Sequence, residues 1–216
     1  YVGLCKDNKI LGPGKLFVNE KIFYEGEFVN ENFQGKGKRY YTDGALYDGN
    51  FFEGKIYGKG VLKISDNEIY TGMFKQGYPT GFGTYLKEGI SYTGFFNDWD
   101  LYFGKYSKNN ITYTGYFNDY KLLGYAKMQY KQGEYYEGEI VNELPNGKGF
   151  TIKDGENAIY GEYKNGNLVK TMRDYPLKGV YVGYFPFSLE RNVILKNYKF
   201  PYQFYTELNF ILEDAK

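Results

Sequence analysis

Residues 24–60 read YEGEFVNENFQGKGKRYYTDGALYDGNFFEGKIYGKG, and the stretch states one pattern twice. Tyr24-Glu25-Gly26 is followed by Gly35 and Gly37; Tyr47-Asp48-Gly49 is followed, at the same offsets, by Gly58 and Gly60. Carried outward, the glycine of Tyr-x-Gly falls at Gly3, Gly26, Gly49, Gly72, Gly94, Gly115, Gly138 and Gly161, separated by 23, 23, 23, 22, 21, 23 and 23 residues. Tyr1, Tyr24, Tyr47, Tyr70, Tyr92, Tyr113 and Tyr136 stand two places before the first seven, and Ile159 before the eighth. The glycine pair recurs as Gly12 and Gly14, Gly81 and Gly83, and Gly147 and Gly149. A fixed period of this size marks a repeat architecture, in which each unit is one supersecondary element stacked on its neighbours.

Inside a unit the period is two. In Tyr24-Glu25-Gly26-Glu27-Phe28, the tyrosine, glycine and phenylalanine point to one face and the glutamates to the other. Polar turns such as Asn30-Glu31-Asn32 separate the two strands of a unit, and Asp43-Gly44 or Asp154-Gly155 separate units. One repeat is therefore a β-hairpin, and the expected fold is all-β: an elongated, twisted or curved antiparallel sheet of about eight hairpins. Units begin near residues 1, 24, 47, 70, 92, 113, 136 and 159, with a terminal half-unit at 181–183. The expected reason for the glycines is floor space, each one leaving room for a tyrosine ring to lie over the backbone. On that reasoning Gly81→Val destabilises the array.

Composition agrees with many short strands. The 216 residues include 27 Tyr, 18 Phe and 29 Gly, a mix that suits strands and turns better than long helices. Net charge is +1, which gives no basic field for nucleic acid. The single cysteine, Cys5, excludes an internal disulfide framework and fits a reducing compartment. No apolar run reaches the roughly 18 residues a membrane-spanning helix needs. The sequence starts at Tyr1 without Met, which leaves room for a processed or partial chain. Asn110-Ile111-Thr112 matches a glycosylation sequon, a tripeptide that also arises by chance.

Catalytic constellations are hard to find. Histidine is absent, which removes histidine acid/base chemistry, Ser-His-Asp triads and His-containing metal sites. Glu25 and Glu27 read as a solvated strand face rather than an acid/base pair, and Cys5 has no histidine to activate it. The segments Gly35-Lys36-Gly37-Lys38 and Asn146-Gly147-Lys148-Gly149 lack the Ser/Thr and helix of a phosphate-binding loop, so they belong to the repeat. No catalytic residue, cofactor site or metal site is expected.

Tyr-x-Gly followed by a glycine pair at a period of 23 residues resembles the MORN repeat (membrane occupation and recognition nexus), over about residues 1–183. The pattern departs from the motif at Phe103 and Gly104 in unit five, at Gly124 and Ala126 in unit six, and at Lys170 and Met172 in unit eight. Family members include radial spoke head components of cilia and cytoskeletal proteins of parasitic protists. The resemblance thus implies a non-enzymatic intracellular scaffold associated with the cytoskeleton, with cilium or axoneme favoured. Junctophilins and plant phosphatidylinositol phosphate kinases carry similar arrays, which implies phospholipid recognition as an alternative. The near-neutral charge gives that alternative little support. A recognition region of a larger enzyme, as in some SET-domain methyltransferases, is a further alternative if the chain is partial.

Candidate partner-binding residues fall in three groups. The aromatic stripe of Tyr24, Tyr47, Tyr70, Tyr92, Tyr113 and Tyr136 with Phe28, Phe74, Phe96 and Phe117 would take an extended peptide or a helix. On the other face, the charged flanks of Gly26 and Gly138 give way to Thr71 and Met73, Thr93 and Phe95, and Thr114 and Tyr116, which marks either a partner patch or drift. Trp99, in a hairpin turn, either anchors a partner or folds back over the sheet. The structural glycines are Gly26, Gly35, Gly37, Gly49, Gly58, Gly60, Gly72, Gly81, Gly83, Gly138, Gly147 and Gly149. Residues 184–216 lose the glycine pattern and place Phe204, Tyr205, Leu208, Ile211 and Leu212 near one side of a possible helix. That segment reads as a cap for the last strand, with homodimerisation through the same end as the alternative.

Overall fold

A computed structural model describes residues 1–172. The expected half-unit at 181–183 and the segment 184–216, with its cap, helix and dimer contact, lie outside the described residues. Sixteen strands follow one another: β1 (Val2–Lys6), β2 (Lys9–Val18), β3 (Lys21–Val29), β4 (Asn32–Tyr40), β5 (Leu46–Phe52), β6 (Lys55–Ser65), β7 (Glu68–Lys75) and β8 (Tyr78–Lys87). The second half continues with β9 (Ile90–Asn97), β10 (Asp100–Lys108), β11 (Ile111–Asn118), β12 (Lys121–Lys131), β13 (Glu134–Val141), β14 (Leu144–Ile152), β15 (Ile159–Lys164) and β16 (Asn167–Thr171). Every strand pairs antiparallel with its sequence neighbours, giving a single 16-stranded sheet in chain order, as the hairpin period predicts.

The turns explain why each strand reverses where it does. Hairpins close through two residues with positive φ, for example Asn30 (47°) and Glu31 (65°), or Asn142 (51°) and Glu143 (62°). Such turns carry the same handed twist as the strands they join, and Asn, Asp and Gly enter that region at low cost. The turns also lock units together. Glu31 N–H donates to the Ile10 carbonyl, Gly54 to Phe33, Gly77 to Ile56, Asp98 to Pro79 and Gly166 to Pro145, at 2.9–3.3 Å. Each tip thus binds the strand that opens the second half of the preceding unit.

One face of the sheet is packed by tyrosine. In unit two, Gly26 and Gly37 face each other in register, and the Tyr24 ring lies over both. Its hydroxyl donates to the Glu27 carbonyl at 3.1 Å. The arrangement repeats with Tyr47 donating to Asn50 (3.1 Å), Tyr70 to Met73 (3.3 Å) and Tyr136 to Glu139 (2.7 Å). Burial pushes the Tyr24 phenol up to about 12, and raises Tyr47 and Tyr70 further, so these hydroxyls stay protonated donors near neutral pH. Between successive tyrosines stands a phenylalanine edge: Tyr47 meets Phe51 and Phe74, each at 5.2 Å and close to perpendicular. Tyr70 meets Phe74 and Phe96 in the same way. This edge-to-face chain supplies the packing that a second layer supplies in other β proteins.

The glycines divide into two kinds, which corrects the single role expected of them. A methyl group at Gly37, Gly83 or Gly149 would sit 2.6–2.7 Å from a tyrosine Cζ, and one at Gly26, Gly49, Gly60, Gly72 or Gly138 would overlap a ring as well. These are the ring floors. Gly35 and Gly81 are different: their φ values are +63° and +62°, and they belong to the bulges that shift register after Gly26 and Gly72. A methyl at Gly81 would meet only Met73 Cβ, at 3.8 Å. Gly58 and Gly147 also have positive φ and serve the same bulge. Gly81→Val is therefore destabilising because of backbone conformation, not because of a ring.

Candidate functional site

The tyrosine face offers no open groove along the regular units. Tyr24, Tyr47, Tyr70 and Tyr136 are 0% exposed, and Phe28, Phe74, Phe96, Phe117, Tyr92 and Tyr113 are buried beside them. The expectation of an aromatic stripe open to a partner is corrected here: the rings fill the stripe themselves, because Tyr24, Tyr47 and Tyr70 are each bracketed by phenylalanine edges from their own unit and the next, and Tyr136 packs against Tyr163.

Units five and six pack differently on that face. Leu101 is three residues before Gly104, whereas Pro79 is four before Gly83, so the bulge glycine is missing from β10. In place of a tyrosine, Leu101 covers Gly94 and Gly104, and Leu122 covers Gly115. Tyr92, Tyr106 and Tyr113 stack on one another instead, at 5.4 and 5.0 Å, the second pair nearly parallel. The second turn residues here are Trp99 and Tyr120, with φ of 71° and 57°. Trp99 folds back over the sheet, 5.9 Å from Tyr70 and 5.4 Å from Tyr85, which decides between its two readings. Tyr120 packs on Tyr85 and Tyr92, its hydroxyl bonded to the Trp99 carbonyl and Lys87 Nζ 4.5 Å above its ring. From the β13–β14 turn, Glu143 accepts from the Tyr106 hydroxyl at 2.6 Å and from Lys108 Nζ at 2.8 Å. Partial burial raises the Glu143 pKa, but those two donors and the lysine charge outweigh it and hold the carboxyl below its usual value.

The opposite face changes character along the array. At its start the residues beside the glycines alternate in sign, with Lys15 paired to Glu25 at 3.0 Å and Lys38 to Asp48 at 3.5 Å. Register places Glu25 between Lys15 and Lys38. From β6 onward that row reads Val61, Thr71, Thr84 and Thr93, the last two joined hydroxyl to hydroxyl at 3.0 Å. The neighbouring row reads Phe82, Phe95, Phe103 and Tyr116, in contact at 5.6 Å for Phe82–Phe95 and 5.0 Å for Phe103–Tyr116, with Met73 paired to Thr80 on the near side of the β8 bulge. Met73 and Tyr116 are half-buried, while Phe95 is only 2% exposed despite its place on this face. Farther along, charge returns: Lys127 lies 4.0 Å from the Tyr135 ring, and burial pushes the Glu137 carboxyl up against the pull of Lys127 and a Tyr125 hydrogen bond.

Four exposed aromatics on this face escaped the reading of the sequence: Phe52 (50%), Tyr57 (47%), Tyr78 (55%) and Phe82 (47%). Phe52 and Tyr57 touch at 5.9 Å. A signal for Phe82 was present, because the residue between the paired glycines is Lys36, Lys59 and Lys148 in units two, three and seven and becomes phenylalanine in unit four. Among the described residues no group of histidine, cysteine and carboxylates is placed to hold a metal ion, and no helix is long and apolar enough to cross a membrane.

Comparison with known families matches the MORN repeat at residues 24–46, 47–68, 70–88 and 136–154. Those are units two, three, four and seven, four of the units in which a tyrosine ring lies over two facing glycines. No curated protein gives a significant match to the chain.

Proposed function

This chain is a MORN-repeat protein, a type of module that generally serves protein or membrane interaction, and we propose that it is a non-enzymatic scaffold in a cytoskeletal assembly, with a cilium or axoneme as the favoured setting. The observation that carries this reading is the apolar stretch on the face opposite the tyrosines. Phe52, Tyr57, Tyr78 and Phe82 are each about half exposed on β5 to β8, next to Met73 and Phe95 and bordered by paired charges. Aromatics in that setting contribute large contact area at a protein interface for little lost side-chain entropy. The partner on this face is a protein segment, extended or helical, laid across the strands.

The test is detergent extraction of the source cells followed by quantitative mass spectrometry of the soluble and insoluble fractions. Wild-type chain is expected in the insoluble cytoskeletal pellet. A variant carrying Phe52→Ser, Tyr57→Thr, Tyr78→Thr and Phe82→Lys is expected to unfold as cooperatively as wild type yet appear in the soluble fraction. Equal retention of the variant, or complete release of wild type with the lipids, overturns the proposal; the second outcome favours membrane recognition.

A further inference from the structure

The tyrosine face contains one residue whose chemistry the packing leaves unused. In the row formed by the second strands of units one to seven, register brings Leu16, Arg39, Leu62, Tyr85, Tyr106, Met128 and Thr151 to equivalent places opposite the repeat tyrosines, with the Thr151 hydroxyl bonded to that of Tyr163. Five are apolar or aromatic. Arg39 is the only arginine among residues 1–172, in a sequence that otherwise relies on lysine for positive charge. Its guanidinium lies between two rings, with Cζ 5.1 Å from the centroid of Phe23 and 4.8 Å from that of Tyr41. Nε is buried and has no hydrogen-bond partner. Arg39 takes part in none of the ion pairs among the described residues.

A buried N–H without an acceptor costs more than an equivalent apolar group would, and the neighbouring units fill the same place with leucine. A guanidinium clamped between rings has its plane fixed, so its edge presents a rigid fork of donors. That geometry matches a carboxylate in two parallel N–H···O bonds and would be wasted on a lysine. Lys63, two strands away, shares the row of Tyr40 and Leu46 on the opposite face and is paired there with Asp66 at 2.7 Å, so it supplies no second cation beside Arg39 of the kind a phosphate dianion would draw on.

We propose that Arg39, held between Phe23 and Tyr41, is a recognition point for the carboxylate of an Asp or Glu side chain in an acidic partner peptide. This site lies on the opposite face from the aromatic patch assigned to the scaffold role, so either can fail without the other.

The experiment uses the full chain labelled with nitrogen-15 and follows the arginine Nε–Hε resonances, of which the sequence provides three, from Arg39, Arg173 and Arg191. The probe is an acetylated, amidated peptide of alternating Glu and Gly, with its Gln counterpart as control and inorganic phosphate as a separate titrant. A saturable shift of the Arg39 resonance with the Glu peptide alone is expected. Arg39→Lys should weaken binding at least tenfold because the planar fork is lost while the charge remains. Arg39→Leu should abolish binding and leave the melting temperature unchanged or higher, as leucine serves in units one and three. The inference is overturned by equal shifts at all three arginines, by a response to phosphate stronger than to the peptide, or by full binding in Arg39→Lys.

Discussion

Units two to four and units five and six share one sheet but solve the same packing problem in opposite ways. In the regular units a tyrosine ring rests on two glycines and its hydroxyl returns to a carbonyl three residues on, so ring, floor and acceptor all lie within one hairpin. In units five and six leucines cover the glycines, the tyrosines stack together, Trp99 and Tyr120 reach back from their turns over the preceding units, and Glu143 reaches in from the turn of unit seven. Unit six keeps the regular spacing, with Leu122 four residues before Ala126 and Gly124 at φ +37°, so unit five alone shows what the loss of one bulge residue does. Without it, β10 reaches its glycine one step early, Leu101 takes the place of the ring, and the displaced tyrosines find partners across units.

The sharpest way to break this comparison is to add a methyl group to a ring floor on each side of it. Gly60→Ala would overlap the Tyr47 ring and should cost about 3 kcal/mol in denaturant unfolding. Gly115→Ala meets Leu122 Cδ1 at 3.1 Å and the Tyr125 carbonyl at 3.0 Å, opposite an alanine already present, and should cost about 1 kcal/mol. Equal losses would mean that the tyrosine seat is not what distinguishes the regular units. Within a single pair, Gly83→Ala should resemble Gly60→Ala, while Gly81→Ala should cost only about 1–2 kcal/mol, the expense of placing a side chain at φ +62°. Gly81→Asn should recover part of that loss, since asparagine enters this region more readily.

Smaller effects sharpen the same contrast. Tyr47→Phe removes the hydroxyl bond to Asn50 and should lose about 1 kcal/mol, whereas Tyr92→Phe, whose hydroxyl makes no hydrogen bond among the described residues, should change stability by less than about 0.5 kcal/mol. The smallest expected effect belongs to Glu143. Its carboxyl titrates below the ordinary value when folded, so its contribution is complete above the unfolded value and is lost as pH falls through the lower, folded one. Glu143→Gln should flatten the acid side of the stability profile below about pH 5 by a few tenths of a kcal/mol, a small change because the ion pair with Lys108 is substantially exposed. A thermal melt series from pH 3 to 7 would detect it, and an unchanged acid slope would remove Glu143 from the account of units five and six.

Much of the fold was legible because it follows from a period. Tyr-x-Gly at 23 residues set the hairpins, and alternation in Tyr24–Phe28 set the faces. The roles inside the glycine pair were not legible, since Gly81 and Gly83 look alike in sequence and differ only in φ and in what lies above them. Direction was the other hidden quantity. Trp99 could point either way from its turn until Tyr70 and Tyr85 supplied a surface, and the stripe read as open until successive Phe edges were seen to close it. The patch at Phe82 was half legible: Met73 and Phe95 marked the strands, but Phe52, Tyr57 and Tyr78 carry no mark of the repeat and became visible only by exposure.

The hydroxyl that Tyr24, Tyr47 and Tyr70 each return to their own hairpin has a consequence for inheritance. A unit that completes its own packing can be duplicated or deleted whole, and the copies on either side meet an identical neighbour. Array length in the regular stretch is therefore a quantity that unequal recombination can change freely. Units five to seven are not interchangeable in this way, because Glu143 in the turn of unit seven serves Tyr106 and Lys108 of unit five, 37 and 35 positions earlier, and the loss of either partner would orphan the other. They must be kept or lost together, which makes them a fixed landmark in an otherwise extensible lineage.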